Sequence, residues 1–247
     1  MTGIAIIGGS GLYQLEALEN SHTETVPTPY GEPSDALTIG SMQGESVVFL
    51  ARHGAAHTIP PHRINYRANL WALKHMGVDT VISVCAVGGI RADIRPGAII
   101  VPDQIIDYTW GREHTLYEQD LAEVTHIDFT EPYCSELRKA LIAAAAEAGI
   151  GIFPSATYGA TQGPRLETAA EINRKERDGC DIVGMTGMPE ASLARELGLC
   201  YAAIAVSAND AAGRGDGPIV MDEIKTNLDT GLRSVRQILQ HLLQARR

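Results

Sequence analysis

The chain has 247 residues, 45% of them hydrophobic, and its 20 Lys and Arg against 30 Asp and Glu give a formal net charge of −10. A chain of this length and composition can bury a sizeable core, and low-complexity, collagen-like and coiled-coil architectures are excluded. It lacks the basic footprint of a general nucleic-acid binder, so any anionic substrate must be met by a local cluster of donors. In chain order, the apolar run Ile4 to Ile7 predicts a buried strand, followed by the shorter run Ala36 to Ile39 and the strand Val47 to Leu50. Asn65 to Met76 predicts a helix through Leu70, Leu73 and Met76, stopped by Gly77. Strands are expected at Val81 to Val84 and Ala98 to Val101, then a helix over Ser135 to Ala148 ending at Gly149. Ala156 to Thr161 and Ala202 to Val206 read as strands. A last helix starts near Asp222, its Ile224, Leu228, Leu232, Val235, Leu239 and Leu242 forming one apolar stripe. Asp222 is expected to cap it, with Arg246 and Arg247 facing the negative end of its dipole. Strands alternating with helices imply a single α/β domain over residues 1–247, a mixed central sheet flanked by helices. Ala36 to Ile39 and Ala156 to Thr161 are the expected antiparallel members.

No apolar run approaches the ~18 residues of a membrane helix, and MTGIAIIGGSG lacks the basic start of a signal peptide. Cys85, Cys134, Cys180 and Cys200 form no CxxC pair. These features predict a cytoplasmic, reducing setting with neither a disulfide nor a zinc framework.

Six segments could carry chemistry, each at an expected strand end. Gly8-Gly9-Ser10-Gly11 offers backbone N–H groups and a hydroxyl to an anion, or is a plain tight turn. Gln14 stands where a dinucleotide fingerprint needs a small residue, and no Walker lysine follows. Ala51-Arg52-His53-Gly54 presents a planar guanidinium suited to phosphate, or a surface ion pair. His53, His57 and His62 lack a nearby carboxylate and are interrupted by prolines, which argues against a metal. In Cys85-Ala86-Val87-Gly88-Gly89, Cys85 reads as a small core residue before a nucleophile. Gln162 to Thr168 holds a Gly-Pro turn that launches a helix and either presents Glu167 to a pocket or places it as a first-turn carboxylate. Met185-Thr186-Gly187-Met188-Pro189-Glu190 puts a hydroxyl before a proline-started helix. Ser207 to Gly213 places Asn209 and Asp210 at the sixth strand end, where a simple turn is the alternative.

Together these segments resemble the trimeric purine nucleoside phosphorylase superfamily, specifically its methylthioadenosine phosphorylase branch. The likeness is carried by IGGSGL, TPYGEPSDAL, ARHGAAHTIPPHRINYRANLWALK, AVGGIR, GPRLET, GMTGMPE and LCYAAIAVSAND, and it runs nearly end to end. It implies a Rossmann-like phosphorylase/hydrolase-like fold, a homotrimer, and no metal or organic cofactor, inorganic phosphate being a co-substrate. The family's phosphate site falls on Ser10, Arg52, His53, the Ala86 N–H and Thr186, with Cys85 replacing a threonine. Met185 matches a residue that packs on the ribose, and Leu166 replaces an aromatic that stacks on the base. Met221 falls near the apolar wall of the 5′ pocket, and His126 matches a residue contributed by the neighbouring subunit.

The base pocket departs from the adenine type. That type carries two aspartates where this chain has Asn209 and Ala211, flanking Asp210, and a small polar residue where this chain has Glu167. Glu plus Asn is the pairing of the 6-oxopurine enzymes. The resemblance therefore implies phosphorolysis of a 5′-methylthio nucleoside of hypoxanthine, with Asn209 assisting the leaving purine and His53 beside the phosphate. Methylthioadenosine or general 6-oxopurine nucleoside phosphorolysis are the alternatives within the class. A water-using nucleosidase and a non-enzymatic purine sensor are those outside it.

Overall fold

The computed structural model describes residues 3–246 apart from Gln14, Glu16 and Asp120. The readings made on Gln14 and Arg247 lie outside these residues. Eleven strands form one mixed sheet with five α-helices around it. In chain order these are β1 (Gly3–Gly8), β2 (Glu19–Glu24), β3 (Leu37–Met42), β4 (Glu45–Ala51), α1 (Tyr66–His75), β5 (Val78–Gly89), β6 (Ile99–Ile100) and β7 (Gln104–Asp107). Then follow α2 (Ser135–Glu147), β8 (Ile152–Phe153), β9 (Thr157–Ala160), α3 (Ala169–Arg177), β10 (Ile182–Gly184), α4 (Gly187–Glu196), β11 (Cys200–Asp210) and α5 (Met221–Gln244).

Both sheet faces are covered, which is why the central strands carry nearly continuous apolar runs instead of alternating. Ala5, Ile7, Val48, Leu50 and Val81 share a core with Leu70 and Leu73 of α1 and Ala191 and Leu193 of α4. Ile4, Ile6, Val47, Phe49 and Ile82 pack on the opposite face with Leu141 of α2 and Leu232, Val235 and Leu239 of α5. Each such fully buried aliphatic side chain is worth about 1.5–3 kcal/mol. Asn65 caps α1 by accepting from the Ala68 N–H.

The strand order β2-β3-β4-β1-β5 divides at β5, which is long enough to serve two branches. Along one edge β5 pairs with β11 from Thr80 to Gly89. Along the other it pairs with β1 up to Ser83 and with antiparallel β10 only at Gly88 and Gly89. Val84 to Val87 therefore have no strand partner on that edge, and the crevice this leaves is where the functional side chains converge.

Several expectations need correction. β9 is parallel to both β10 and β7, not antiparallel. It is joined to β10 through α3, and a helical crossover returns the chain in the same direction. β3 is antiparallel, as read, because the two-residue turn Gln43-Gly44, both at positive φ, folds it directly onto β4. Val220, not Asp222, occupies the cap position of α5, and Asp222 and Glu223 lie in its first turn. Cys134 and Cys200 are joined in a disulfide, with Cα atoms 5.2 Å apart. Separated by 66 residues, they meet because Cys134 precedes α2 and Cys200 opens β11, and the Cys134 N–H bonds to the Tyr201 carbonyl. The cysteine-based ground for a reducing compartment falls with that bond. No helix among the described residues is long and apolar enough to cross a membrane.

Candidate active site

A cavity of about 790 Å³ opens at the ends of β1, β4, β5, β10 and β11. It brings together Ser10, Arg52, His53, Ala86, Leu166, Glu167, Met185, Thr186, Asn209 and Ala211, which the sequence singled out from six separate segments, together with Met221.

One end is built from the crevice beside β5. The turn after β1 passes so close that a Cβ on Gly9 would stand 2.6 Å from the Val84 carbonyl and 3.0 Å from Arg52 Nη1, so only glycine fits. Arg52 is fully buried, unlike the surface ion pair considered from sequence. Its Nε donates to Glu190 Oε2 at 2.7 Å and its Nη2 to Glu190 Oε1 at 3.0 Å. Nη2 also donates to Ser83 Oγ at 2.7 Å, and Nη1 to the Val84 carbonyl at 3.0 Å. Four of five N–H groups are thereby taken up, leaving one on Nη1 for a ligand. Glu190 is equally buried and accepts from Ser83 Oγ at 2.6 Å and Tyr201 OH at 2.9 Å as well. Burial works to lower the Arg52 pKa, but the Glu190 charge outweighs it and holds the guanidinium above its ordinary value. The Val84 carbonyl faces the crevice, and amides alternate in direction along a strand, so Ala86 presents its N–H to the same space.

His53 is buried, and its Nδ1 lies 2.8 Å from the Ile59 carbonyl. That contact fixes the proton on Nδ1 and leaves Nε2 facing out as an acceptor. Burial, then the neighbouring Arg52 charge, push its pKa down to about 4, so the ring is neutral at physiological pH. The buried Thr186 hydroxyl points at Cys85 Sγ, 3.9 Å away. Cys85 itself is not on the cavity wall. Its side chain turns into the core on the α1 and α4 side, touching Ser83 Oγ at 3.4 Å, and burial raises its thiol pKa. Ala86, the next residue on the strand, lines the cavity where Cys85 does not.

The other end is made by loops. A bulge in β11 between Ser207 and Asn209 sets the final alternation, with Asn209 and Ala211 toward the cavity and Asp210 away. Asp210 is not on the cavity wall and faces Arg95 at 3.5 Å. Asn209 Nδ2 donates to the Asp210 carbonyl at 2.7 Å, leaving one N–H and Oδ1 for a ligand. Glu167 is not the helix-start carboxylate: Thr168 and Glu171 form the capping box of α3. That frees Glu167, half-buried on the cavity wall, its carboxyl pushed up by burial. Leu166 is 41% exposed and Met221 is 69% exposed at the mouth. His126 is exposed and lies outside the cavity of its own chain.

Sequence reasoning missed Glu190, Ser83 and Tyr201, which encase Arg52, and the α5 residues Ile224, Lys225, Leu228 and Asp229 on the cavity wall. For Glu190 a signal existed: a lone acid in the otherwise apolar MPEASLA stretch. Among the described residues no cluster of three His, Cys, Asp or Glu side chains could hold a metal ion.

The phosphorylase superfamily model matches residues 3–244. A Pseudomonas syringae pv. tomato protein named "Probable S-methyl-5'-thioinosine phosphorylase" is 53% identical over 99% of this chain and 100% of its own length. The 6-oxopurine nucleoside phosphorylase of Pyrococcus furiosus is 50% identical over 91% of this chain and 85% of its own. Among solved structures, methylthioadenosine phosphorylase from Schistosoma mansoni in complex with adenine superposes with a TM-score of 0.95 at 34% identity, covering 99% of this chain and 92% of that one. With its mixed sheet, its strand-end cavity and full-length relatives at this identity, the chain belongs to the phosphorylase superfamily.

Proposed function

We propose that the protein catalyses phosphorolysis of S-methyl-5′-thioinosine, giving hypoxanthine and 5-methylthioribose 1-phosphate. The observation that carries this reading is the Glu167 carboxylate sharing one cavity with Asn209 and with the donors around Ser10, Ala86 and Thr186. Ionised Glu167 only accepts, which suits the N1–H of hypoxanthine and opposes the N1 lone pair of adenine. Asn209 donates to O6 and accepts from N7–H, stabilising the purine as it departs with negative charge.

At the other end phosphate is received by the Ser10 hydroxyl, the Ala86 N–H, the Thr186 hydroxyl and the remaining Arg52 N–H. Neutral His53 accepts at Nε2 from the P–OH of the phosphate dianion. Held below the sugar, that dianion stabilises oxocarbenium character as the glycosidic bond breaks and then captures C1′. No covalent enzyme intermediate is needed, and the buried Cys85 thiol stays out of the chemistry.

The 5′ methylthio group is assigned to the wall of Met221, Ile224 and Leu228. Met221 stands too exposed to close that wall alone, which supports a homotrimer in which the neighbour's His126 segment covers it. Trp110, Leu121 and Val124 add exposed apolar surface on the same stretch of chain. Sedimentation should give a trimer, and His126→Ala should raise the KM for the nucleoside without dissociating it. The reaction is tested by identifying products with and without phosphate. Hypoxanthine and a pentose 1-phosphate in equal amounts, formed only with phosphate, are expected; free methylthioribose formed from water would overturn the reading.

A further inference from the structure

We infer that Arg112, which the chemistry above does not use, is a positioning residue that locks the base-reading loop to the ribose and phosphate segment. Arg112 follows β7 and is only 8% exposed. Among the described residues it forms no ion pair, and its neighbour Glu113 pairs with Arg67 instead. A buried cation without an acid is normally costly. Here the cost is offset by six oxygens around the guanidinium. Nε donates to Gln162 Oε1 at 3.2 Å. Nη1 donates to the Met185 carbonyl at 2.9 Å and the Met188 carbonyl at 2.5 Å, with Tyr66 OH at 3.3 Å. Nη2 donates to the Thr161 carbonyl at 3.2 Å and the Gln162 carbonyl at 2.8 Å.

Those carbonyls belong to two segments with different tasks. Thr161 and Gln162 follow β9 and lead into the Gly163-Pro164 turn that presents Leu166 and Glu167. Met185 and Met188 flank Thr186 after β10. The Thr161 N–H bonds to the Gly184 carbonyl at 2.8 Å, and beyond that bond the two segments part, one toward the base and one toward the phosphate. Arg112 fills the fork. The segments touch again at Gly163, whose φ is +62° and where any Cβ would collide with Met185 Sδ. A planar five-donor fork can span both sets of carbonyls, whereas the three donors of a lysine converge on one point. Arg112 thus sets the separation between Glu167 and the Met185-Thr186 pair, on which both base choice and the geometry of attack depend.

This inference rests on the functional reading above, and its test keeps the two apart. Arg112→Lys and Arg112→Gln are compared with wild type for turnover of methylthioinosine and methylthioadenosine, and for binding of hypoxanthine and adenine by calorimetry, all per folded protein. Misplacing Glu167 should lower kcat/KM for methylthioinosine about 10- to 100-fold and shrink its advantage over methylthioadenosine by about tenfold. Hypoxanthine should lose its binding advantage over adenine in both variants. In Arg112→Gly, millimolar guanidinium ion should partly restore both. Variants that lose activity equally on both nucleosides, with wild-type KM and wild-type base preference in binding, would reduce Arg112 to a structural role and overturn the inference. Should wild type show no phosphate-dependent turnover, the functional reading fails, and the binding preference alone still decides for or against Arg112.

Discussion

The two ends of the cavity are built from different material. The end assigned to phosphate is core: Arg52 and Glu190 are fully buried, and His53 and Thr186 nearly so. The buried charges there are tightly held, as with Glu190, which receives four hydrogen bonds. The end assigned to the base and the 5′ group is surface: Leu166 and Met221 are open to solvent, and Glu167 is only half-buried on a loop. The contrast teaches where change is tolerated. A residue embedded in a buried network cannot vary without cost to folding. A residue on a loop at the cavity mouth can change the substrate while the fold stays intact.

The largest expected effect comes from breaking the core end. Arg52→Ala leaves the Glu190 carboxylate buried and unpaired, and loss of such a partner costs about 3–5 kcal/mol of stability. Chemical denaturation should register that loss together with the loss of phosphorolysis. A variant with wild-type stability would show that the pair is not the structural element described here. The base end should behave oppositely. Glu167→Ser combined with Asn209→Asp and Ala211→Asp should move preference toward methylthioadenosine. Two buried mispaired contacts at about 1–3 kcal/mol each allow a shift of up to roughly a thousandfold. Stability should change by less than about 1 kcal/mol, and a triple variant that unfolds would erase the contrast between the two ends.

Removing one direct donor from the proposed anion seat should have a smaller effect than either. Thr186→Val should raise the phosphate KM by an amount equivalent to about 1–2 kcal/mol while leaving base preference unchanged. An unaltered phosphate KM would take Thr186 out of the seat.

The smallest effects are read by pH. Burial holds the His53 pKa near 4 in the folded protein, below the ordinary 6.5. As pH falls from 6.5 toward 4 the unfolded chain binds a proton that the folded one refuses, so stability declines across that window and is unaffected above it. His53→Gln should flatten the decline. At Glu167 burial raises the pKa above 4.5, so the carboxylate protonates at a higher pH than an exposed one. The preference for 6-oxopurine should then narrow on acidification, and Glu167→Gln should remove that pH dependence.

The same contrast explains what was legible in the sequence. Buried strands announce themselves as unbroken apolar runs, and β1, β4, β5 and β11 were found that way. β2 was invisible because its ENSHTE stretch is polar and wholly exposed, and β10 because three residues carry no period. The strand-end segments were readable because glycines and hydroxyls at such ends have few other uses. The partners of Arg52 were not, since Glu190 lies 138 positions away and its link to Arg52 exists only once α4 packs against β11. The direction in which Asp210 faces was not legible for a related reason. The bulge that turns it toward Arg95 leaves no mark in the alternation of residue types. The disulfide was missed because a 66-residue separation says nothing about contact.

The central claim is that a buried anion seat is joined to a base pocket that reads a 6-oxopurine through Glu167. It is tested most directly by competition. Equal concentrations of methylthioinosine and methylthioadenosine are incubated with the protein and saturating phosphate, and hypoxanthine and adenine are quantified at early times. Hypoxanthine should form in excess by roughly two to three orders of magnitude, the discrimination expected from two mispaired buried polar contacts. Adenine released at a rate equal to or above that of hypoxanthine would contradict the account.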